Sequence, residues 1–138
     1  MTGYREVSVG LRPASRSLGE LTQADIARFA GAGGDFNPLH LDPAVAAAAG
    51  FDRPIAMGQL TAGLLAAWLT DWCGVENLRS YQVRFTAPLM VGEAVELSGT
   101  VVAIEPLDDD CALATMDLVA TADGRTVVTG QAGFVAAS

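Results

Sequence analysis

The chain contains no lysine and a single histidine, His40. All eight cationic side chains are arginines, and 16 acidic side chains outnumber them, so the formal net charge is −8. A surface that binds nucleic acid needs clustered cations against the phosphate backbone, and this charge balance argues against such a partner. The two cysteines, Cys73 and Cys111, do not have the spacing of metal ligands. We expect them to be free, buried thiols.

The chain also lacks a long hydrophobic run. Its first ten residues contain no apolar segment of the kind that a secretory signal needs, which predicts a cytoplasmic protein. The longest uncharged stretch covers residues 54–70, but Gly58, Gln59 and Thr61 interrupt it. A membrane span needs about 20 predominantly apolar residues, so we expect no membrane partner and interpret this stretch as a helix buried in protein.

Length and composition together limit the number of domains. The chain has 138 residues, of which 51% are hydrophobic and 17% are charged, a composition typical of compact globular proteins. A chain of this length is long enough for one core and too short for two. We therefore expect residues 1–138 to form a single domain.

Three helices are predicted in the first half of the chain. Thr22 and Asp25 have the spacing of a capping box, which indicates the start of the first helix. Asp42 and Pro43 are a typical N-cap and first-turn pair, and they begin a second, short helix. The third and longest helix covers residues 58–72 and is apolar almost all round, so we expect protein to cover both of its sides.

After these helices the hydrophobic period changes to two. Alternating polar and apolar residues predict four consecutive strands, around residues 81–85, 95–101, 113–119 and 127–135, and Asp123-Gly124 is a hairpin signal between the last two. With a short N-terminal strand, this order predicts an α+β fold in which an antiparallel sheet wraps around a long buried central helix, the hot-dog fold. The sheet edges of this fold favour pairing between subunits, so we expect a homodimer or a higher oligomer of dimers.

Asp35 and His40 are the candidates for acid–base chemistry. They are five residues apart in a loop between two predicted helices, and this spacing alone does not bring their side chains together. Pro38 excludes a regular helix and biases Asn37 toward extended geometry, so a turn here can bring the carboxylate to the imidazole. A carboxylate beside a histidine suits general acid–base catalysis. From composition alone, a capping aspartate and a surface histidine remain the simpler interpretation.

The residues around this pair resemble those of the MaoC-like dehydratases and the (R)-specific enoyl-CoA hydratases. The similar residues are Gly34-Asp35-Phe36-Asn37-Pro38-Leu39-His40-Leu41-Asp42, then Ala49-Gly50-Phe51, then Arg53-Pro54-Ile55-Ala56, and then Gly58 and Leu60-Thr61. The resemblance is close over residues 20–90 and looser toward the C-terminus. It implies reversible hydration of trans-2-enoyl thioesters to (R)-3-hydroxyacyl thioesters, with coenzyme A as part of the substrate and with no metal or redox cofactor.

The resemblance also implies roles for single residues. The positions that match Asp35 and His40 hold the catalytic water, and the position that matches Asn37 supports the loop. We expect His40 to take a proton from water and Asp35 to orient the ring or to donate a proton. The position that matches Gly58 presents its backbone N–H to the thioester oxygen at a helix N-terminus. Arg84 is predicted to contact a phosphate of coenzyme A, with an ordinary solvent-facing strand arginine as the alternative.

The chain departs from the family pattern close to this site. Met57-Gly58-Gln59 stands where most relatives have His-Gly-Met, and Ala66 stands where some hydratases have serine. The acid–base pair survives these changes, but Met57 adjoins the residue that is expected to bind the thioester oxygen. These changes therefore bear on substrate preference and on activity.

Three alternative functions stay open at this point. The first is a 3-hydroxyacyl dehydratase that acts on acyl carrier protein and runs the same reaction in reverse. The second is a catalytically weak hot-dog subunit that needs a partner, against which the intact Asp35–His40 pair argues. The third is a hot-dog thioesterase, against which the whole D-x-N-P-x-H motif argues.

Overall fold

The computed structural model of the chain describes residues 3–138. In chain order its elements are β1 (Arg16–Glu20), α1 (Gln23–Gly33), a 3₁₀ turn (Pro38–His40), α2 (Pro43–Ala48), α3 (Gly58–Cys73), a second 3₁₀ turn (Val75–Asn77), β2 (Leu78–Phe85), β3 (Ala94–Pro106), β4 (Cys111–Ala122) and β5 (Arg125–Ala137). This order of a short strand, three helices and four longer strands agrees with the sequence prediction.

The described strands form one antiparallel sheet in the order β1-β3-β4-β5-β2. Strands β3, β4 and β5 lie in the middle, with Val101 opposite Met116 and Met116 opposite Ala132. Helix α3 packs against β2, β4 and β5. A sheet curved around one long helix is the hot-dog fold, which confirms the predicted fold class.

The core lies between α3 and the inner face of the sheet. Leu65 and Leu69 are one helical turn apart on α3, and both are completely buried in the same cluster as Met116 and Phe134. Trp68 is also buried, and its indole N–H donates a hydrogen bond to the Ala14 carbonyl at 3.0 Å. Burying one such leucine stabilises the fold by about 1.5–3 kcal/mol. The apolar face of α3 therefore holds the helix against the sheet.

The sheet covers only one side of α3. On the other side Gly63 and Ala67 are exposed, and a Cβ added at Gly63 would meet no described atom within 4 Å. The expectation that protein covers the helix on both sides is therefore wrong for the described part of a single chain. The physical reason is that one sheet curves around only part of a helix.

The local signals in the sequence are confirmed as caps and turns. Thr22 Oγ1 accepts a hydrogen bond from the Asp25 N–H at 3.1 Å, and the Thr22 N–H donates to Asp25 Oδ2 at 3.0 Å, which is the predicted capping box. Helix α1 ends at Gly33, and the following residue, Gly34, is its C-cap with a φ of 73°. Asp123 and Gly124 have φ values of 50° and 74°, so they form the two-residue turn of the hairpin between β4 and β5.

Both cysteines are buried and unpaired, as the sequence predicts. Burial raises the pKa of the Cys73 thiol to about 11, and a hydrogen bond to Asp108 raises the pKa of Cys111. Over residues 3–138, no helix combines the length and the apolar character that crossing a membrane requires.

A buried ion pair joins the loop between β2 and β3 to the hairpin between β4 and β5. The Glu93 side chain is 2% exposed, and its two oxygens accept hydrogen bonds from the Arg125 guanidinium at 2.7 and 2.9 Å. Arg125 also donates to the Pro88 carbonyl at 2.9 Å, and the Met90 N–H donates to Glu93 at 2.8 Å. The hydrogen bonds from Arg125 lower the pKa of Glu93 to about 2. This pair therefore ties residues 88–93 to the sheet.

We expect the free energy of unfolding to fall as the pH is lowered from 4.5 toward 2. The pKa of Glu93 in the folded protein lies below its ordinary value. The unfolded chain therefore takes up the proton first, and protonation favours the unfolded state. Glu93→Gln should flatten this dependence and cost roughly 1–3 kcal/mol at pH 7. Urea denaturation across the pH range measures both effects. Glu105→Gln, on an exposed position of β3, is the control and should keep the wild-type profile. An unchanged profile in Glu93→Gln would contradict the prediction.

Candidate active site

The loop between α1 and α2 brings Asp35 and His40 together. Asn37 Oδ1 accepts a hydrogen bond from the Leu39 N–H at 3.0 Å and caps the 3₁₀ turn that Pro38 begins. This turn leads the chain back on itself, and His40 Nε2 lies 3.5 Å from Asp35 Oδ2. The turn predicted at Pro38 thus joins the carboxylate to the imidazole.

His40 is 8% exposed, and the backbone holds its ring. Its Nδ1 lies 2.8 Å from the Ile55 carbonyl oxygen. Because a carbonyl oxygen can only accept, Nδ1 carries the hydrogen, and Nε2 of the neutral ring has a free lone pair. The Gln23 side chain also donates to the His40 carbonyl at 3.0 Å. The ring therefore presents Nε2 as its basic atom toward Asp35. Sequence reasoning missed the Ile55 carbonyl, because no side-chain pattern marks it.

The contact between Nε2 and Asp35 has a chemical consequence. A lone pair on Nε2 and an ionised carboxylate are both acceptors, so they form a hydrogen bond only when one of them is protonated or when a water molecule donates to both. The Asp35 side chain is 44% exposed, so solvent reaches it. The arrangement is suited to holding one proton, or one water molecule, between a base and an acid.

Asp35 and His40 open onto a pocket of about 530 Å³ at the start of α3. Gly58 and Thr61 of α3 contribute to its wall, as does Phe85 at the end of β2, and most of the remaining lining residues are apolar. An apolar cleft with a few convergent polar groups is typical of a small-molecule site. A second apolar pocket of about 490 Å³ lies between β1, α1 and α3, but it contains neither member of the pair. We assign the candidate site to the first pocket.

Gly58 is the first residue of α3, and the N-cap residue Met57 makes no side-chain hydrogen bond to this turn. The first N–H groups of a helix have no acceptor within the helix, so they are available to a partially negative ligand atom. An added Cβ at Gly58 would lie 2.8–2.9 Å from three ring atoms of Phe85, a side chain that is 51% exposed. A larger residue at this position would displace the ring, a constraint that the sequence does not reveal.

Arg84 does not line this pocket. It is next to Phe85 on β2, and successive residues of a strand point to opposite faces of the sheet. It lines a separate depression together with Asp117 and Gln131. The structure does not bring Arg84 to the acid–base pair, and its contact with coenzyme A stays a prediction.

The departures from the family pattern have different positions. Met57 is 4% exposed, belongs to the hydrophobic core and also lines the pocket. Gln59 lines the pocket beside Gly58. Both changes therefore alter the pocket wall: the one at Met57 places an apolar side chain there, and the one at Gln59 places an amide.

Residues 7–122 match the family model described as the MaoC like domain. The chain belongs to the MaoC-like dehydratase family. The (R)-specific enoyl-CoA hydratase of Aeromonas caviae is 38% identical over 112 residues, which is 79% of this chain and 81% of that enzyme. The 3-hydroxyacyl-thioester dehydratase Z of Mycobacterium tuberculosis (strain H37Rv) is 33% identical over 110 residues, which is 75% of this chain and 73% of that enzyme.

A solved structure shares this architecture. A chain of the ChsH1-ChsH2 complex from Mycobacterium tuberculosis superimposes with a TM-score of 0.80 and 25% sequence identity, over 96% of this chain and 100% of that one. With the family model and the relatives, this identifies the protein as an enzyme of the MaoC-like hydratase and dehydratase family.

His40 is the only histidine of the chain, so the histidine ring-nitrogen signals in an NMR spectrum all belong to this residue. In the pH range where the ring is neutral, we expect ¹⁵N NMR to show Nδ1 protonated and Nε2 unprotonated, because Nδ1 donates to the Ile55 carbonyl. His40→Ala should remove both signals. A ring protonated at Nε2 would contradict this geometry.

Proposed function

We propose that the protein catalyses the reversible hydration of trans-2-enoyl-CoA to (R)-3-hydroxyacyl-CoA, with Asp35 and His40 as the acid–base pair. The observation that carries the proposal is the 3.5 Å approach of His40 Nε2 to Asp35 Oδ2 in a pocket that also contains the start of α3. The name of the Aeromonas caviae relative describes the same reaction.

The proposed steps use the lone pair on Nε2. A water molecule held between His40 and Asp35 gives a proton to Nε2, and its oxygen forms a bond to C3 of the enoyl chain. The electron pair of the C2–C3 double bond moves toward the thioester, and C2 then takes a proton from the protonated Asp35. Transfer of the proton from His40 to Asp35 restores the starting state.

Charge on the thioester oxygen is the second requirement of this chemistry. As water adds, the oxygen becomes enolate-like, and the N–H of Gly58 at the N-terminus of α3 is the proposed donor to it. Water addition involves no external oxidant or reductant, so we propose that the enzyme works without a metal or redox cofactor. Coenzyme A enters as part of the substrate, and Asn37 supports the loop by capping the turn before His40.

The same site serves the reverse direction. The dehydratase Z relative is named for 3-hydroxyacyl thioesters, and a pair that adds water also removes it. Dehydration of 3-hydroxyacyl groups on acyl carrier protein is therefore the second candidate. The net charge of −8 gives no long-range attraction to the phosphates of coenzyme A, so binding of either carrier depends on local contacts.

We expect Asp35→Asn and His40→Ala each to lower turnover of enoyl-CoA by roughly two to four orders of magnitude, the range typical of one positioned acid–base group. Loss of absorbance of the conjugated thioester measures hydration, and a thiol reagent follows hydrolysis in parallel. Asp52→Asn is the control, because this exposed aspartate lies outside the pocket. Near-normal hydration by either site variant would rule out the site. Thiol release without hydration would favour a thioesterase, and activity on acyl carrier protein alone would favour the second candidate.

We also propose that the enzyme is a homodimer or a higher oligomer of dimers. Strand β2 is an edge of the described sheet, and α3 exposes Gly63 and Ala67 on the side away from that sheet. An exposed edge and an exposed small-residue helix face are both commonly covered by a second subunit.

Sedimentation velocity at micromolar concentration should therefore show at least twice the mass of one chain, 14.2 kDa. Adding moderate salt should leave the assembly intact, because the contacts proposed are backbone hydrogen bonds and apolar packing. A stable monomer with full hydratase activity would overturn the proposal.

A further inference from the structure

One of the buried polar side chains of the described chain differs from the others. These side chains belong to His40, Thr61, Asn77 and Glu93. Those of His40, Asn77 and Glu93 are hydrogen-bonded to backbone or side-chain groups. Thr61 is 2% exposed, and its hydroxyl makes no hydrogen bond within residues 3–138. Because no fully buried side-chain nitrogen or oxygen of these residues lacks a partner, the small exposed part of Thr61 includes its hydroxyl. A hydroxyl that is accessible and makes no bond within the fold is free to donate to a ligand.

Thr61 also differs from the other threonine of its helix. A threonine hydroxyl within a helix commonly donates to the carbonyl of the preceding turn, and Thr70 Oγ1 does so to Ala66 at 3.0 Å. Thr61 makes no such bond and lines the pocket that contains Asp35 and His40 instead. Its hydroxyl is therefore available to a group bound in this pocket.

The position of Thr61 on α3 indicates which group this is. Thr61 follows Gly58 by three residues, so the two lie on the same face of the helix. Side chains on a helix lean toward its N-terminus, which directs Thr61 over the turn that begins at Gly58. Both residues line the same pocket. The hydroxyl and the Gly58 N–H are thus placed beside one ligand atom.

We propose that Thr61 is a second hydrogen-bond donor to the thioester oxygen. This inference rests on the proposed function, in which the Gly58 N–H binds the same oxygen. A neutral hydroxyl donates more strongly as the oxygen gains enolate charge, so the bond strengthens toward the transition state. The residue acts on the substrate directly and takes no part in proton transfer.

Three variants of the full chain test the inference. Thr61→Val keeps the shape and removes only the hydroxyl, and it should lower kcat by roughly 10²-fold, as the loss of one oxyanion donor does. Its melting temperature should stay level or rise, because the lost hydroxyl has no partner in the fold. Thr61→Ser retains the donor and should keep most of the wild-type kcat. Thr70→Val makes the same change outside the pocket on the same helix and should leave kcat unchanged.

Infrared difference spectroscopy provides a readout that a structural role would not change. Butyryl-CoA with a ¹³C-labelled thioester carbonyl is saturated and cannot be hydrated. Bound to the wild type, its carbonyl band should move to lower wavenumber, because hydrogen bonding weakens the C=O bond. The shift should be smaller with Thr61→Val and should return with Thr61→Ser.

The outcomes separate this inference from the proposed function. If the wild type shifts the carbonyl band but does not hydrate enoyl-CoA, the proposed function is contradicted and the donor role of Thr61 is supported. If Thr61→Val keeps the wild-type kcat and the wild-type band position, the donor role is overturned and the proposed function is not affected. Thr61 would instead have a packing role if Thr61→Val lowers the melting temperature and Thr61→Ser loses as much kcat as Thr61→Val does. A wild type that does not bind butyryl-CoA would overturn both.

Discussion

The candidate site depends on how residues 54–57 are held. The Ala56 N–H donates to the Leu89 carbonyl at 2.7 Å, which attaches this segment to the loop between β2 and β3. The neighbouring Ile55 carbonyl accepts from His40 Nδ1, so the segment sets the orientation of the ring. The same segment leads directly into Gly58 and the N-terminus of α3. One short stretch of backbone thus positions both the His40 ring and the N-terminus of α3.

Stability and site geometry are connected through the same loop. The buried pair of Glu93 and Arg125 holds residues 88–93 against the hairpin between β4 and β5. Leu89 of this loop is the residue that accepts from Ala56, and it also lines the pocket. A buried pair of this kind is costly to break on one side only, because the remaining charge loses its partner. The pair therefore fixes the pocket wall as well as the fold.

The polar groups that the fold leaves unsatisfied collect around one pocket. His40 Nε2 and Asp35 Oδ2 lie 3.5 Å apart, the N-terminus of α3 has no side-chain cap, and the accessible Thr61 hydroxyl makes no bond among the described residues. Elsewhere, buried polar groups such as Asn77 are hydrogen-bonded within the chain. A site that binds a carbonyl and a water molecule needs unsatisfied groups of this kind.

The sequence by itself determined the local structure and the family: the capping box at Thr22, the turn at Pro38, the hairpin at Gly124 and the periodicity of the strands. Such signals act through backbone dihedrals and hydrogen bonds over a few residues. Only the tertiary structure decided which distant groups meet: His40 with a carbonyl 15 residues away, Glu93 with an arginine 32 residues away, and the Phe85 ring with Gly58. These contacts depend on how the sheet curves around α3, which no short stretch of sequence encodes.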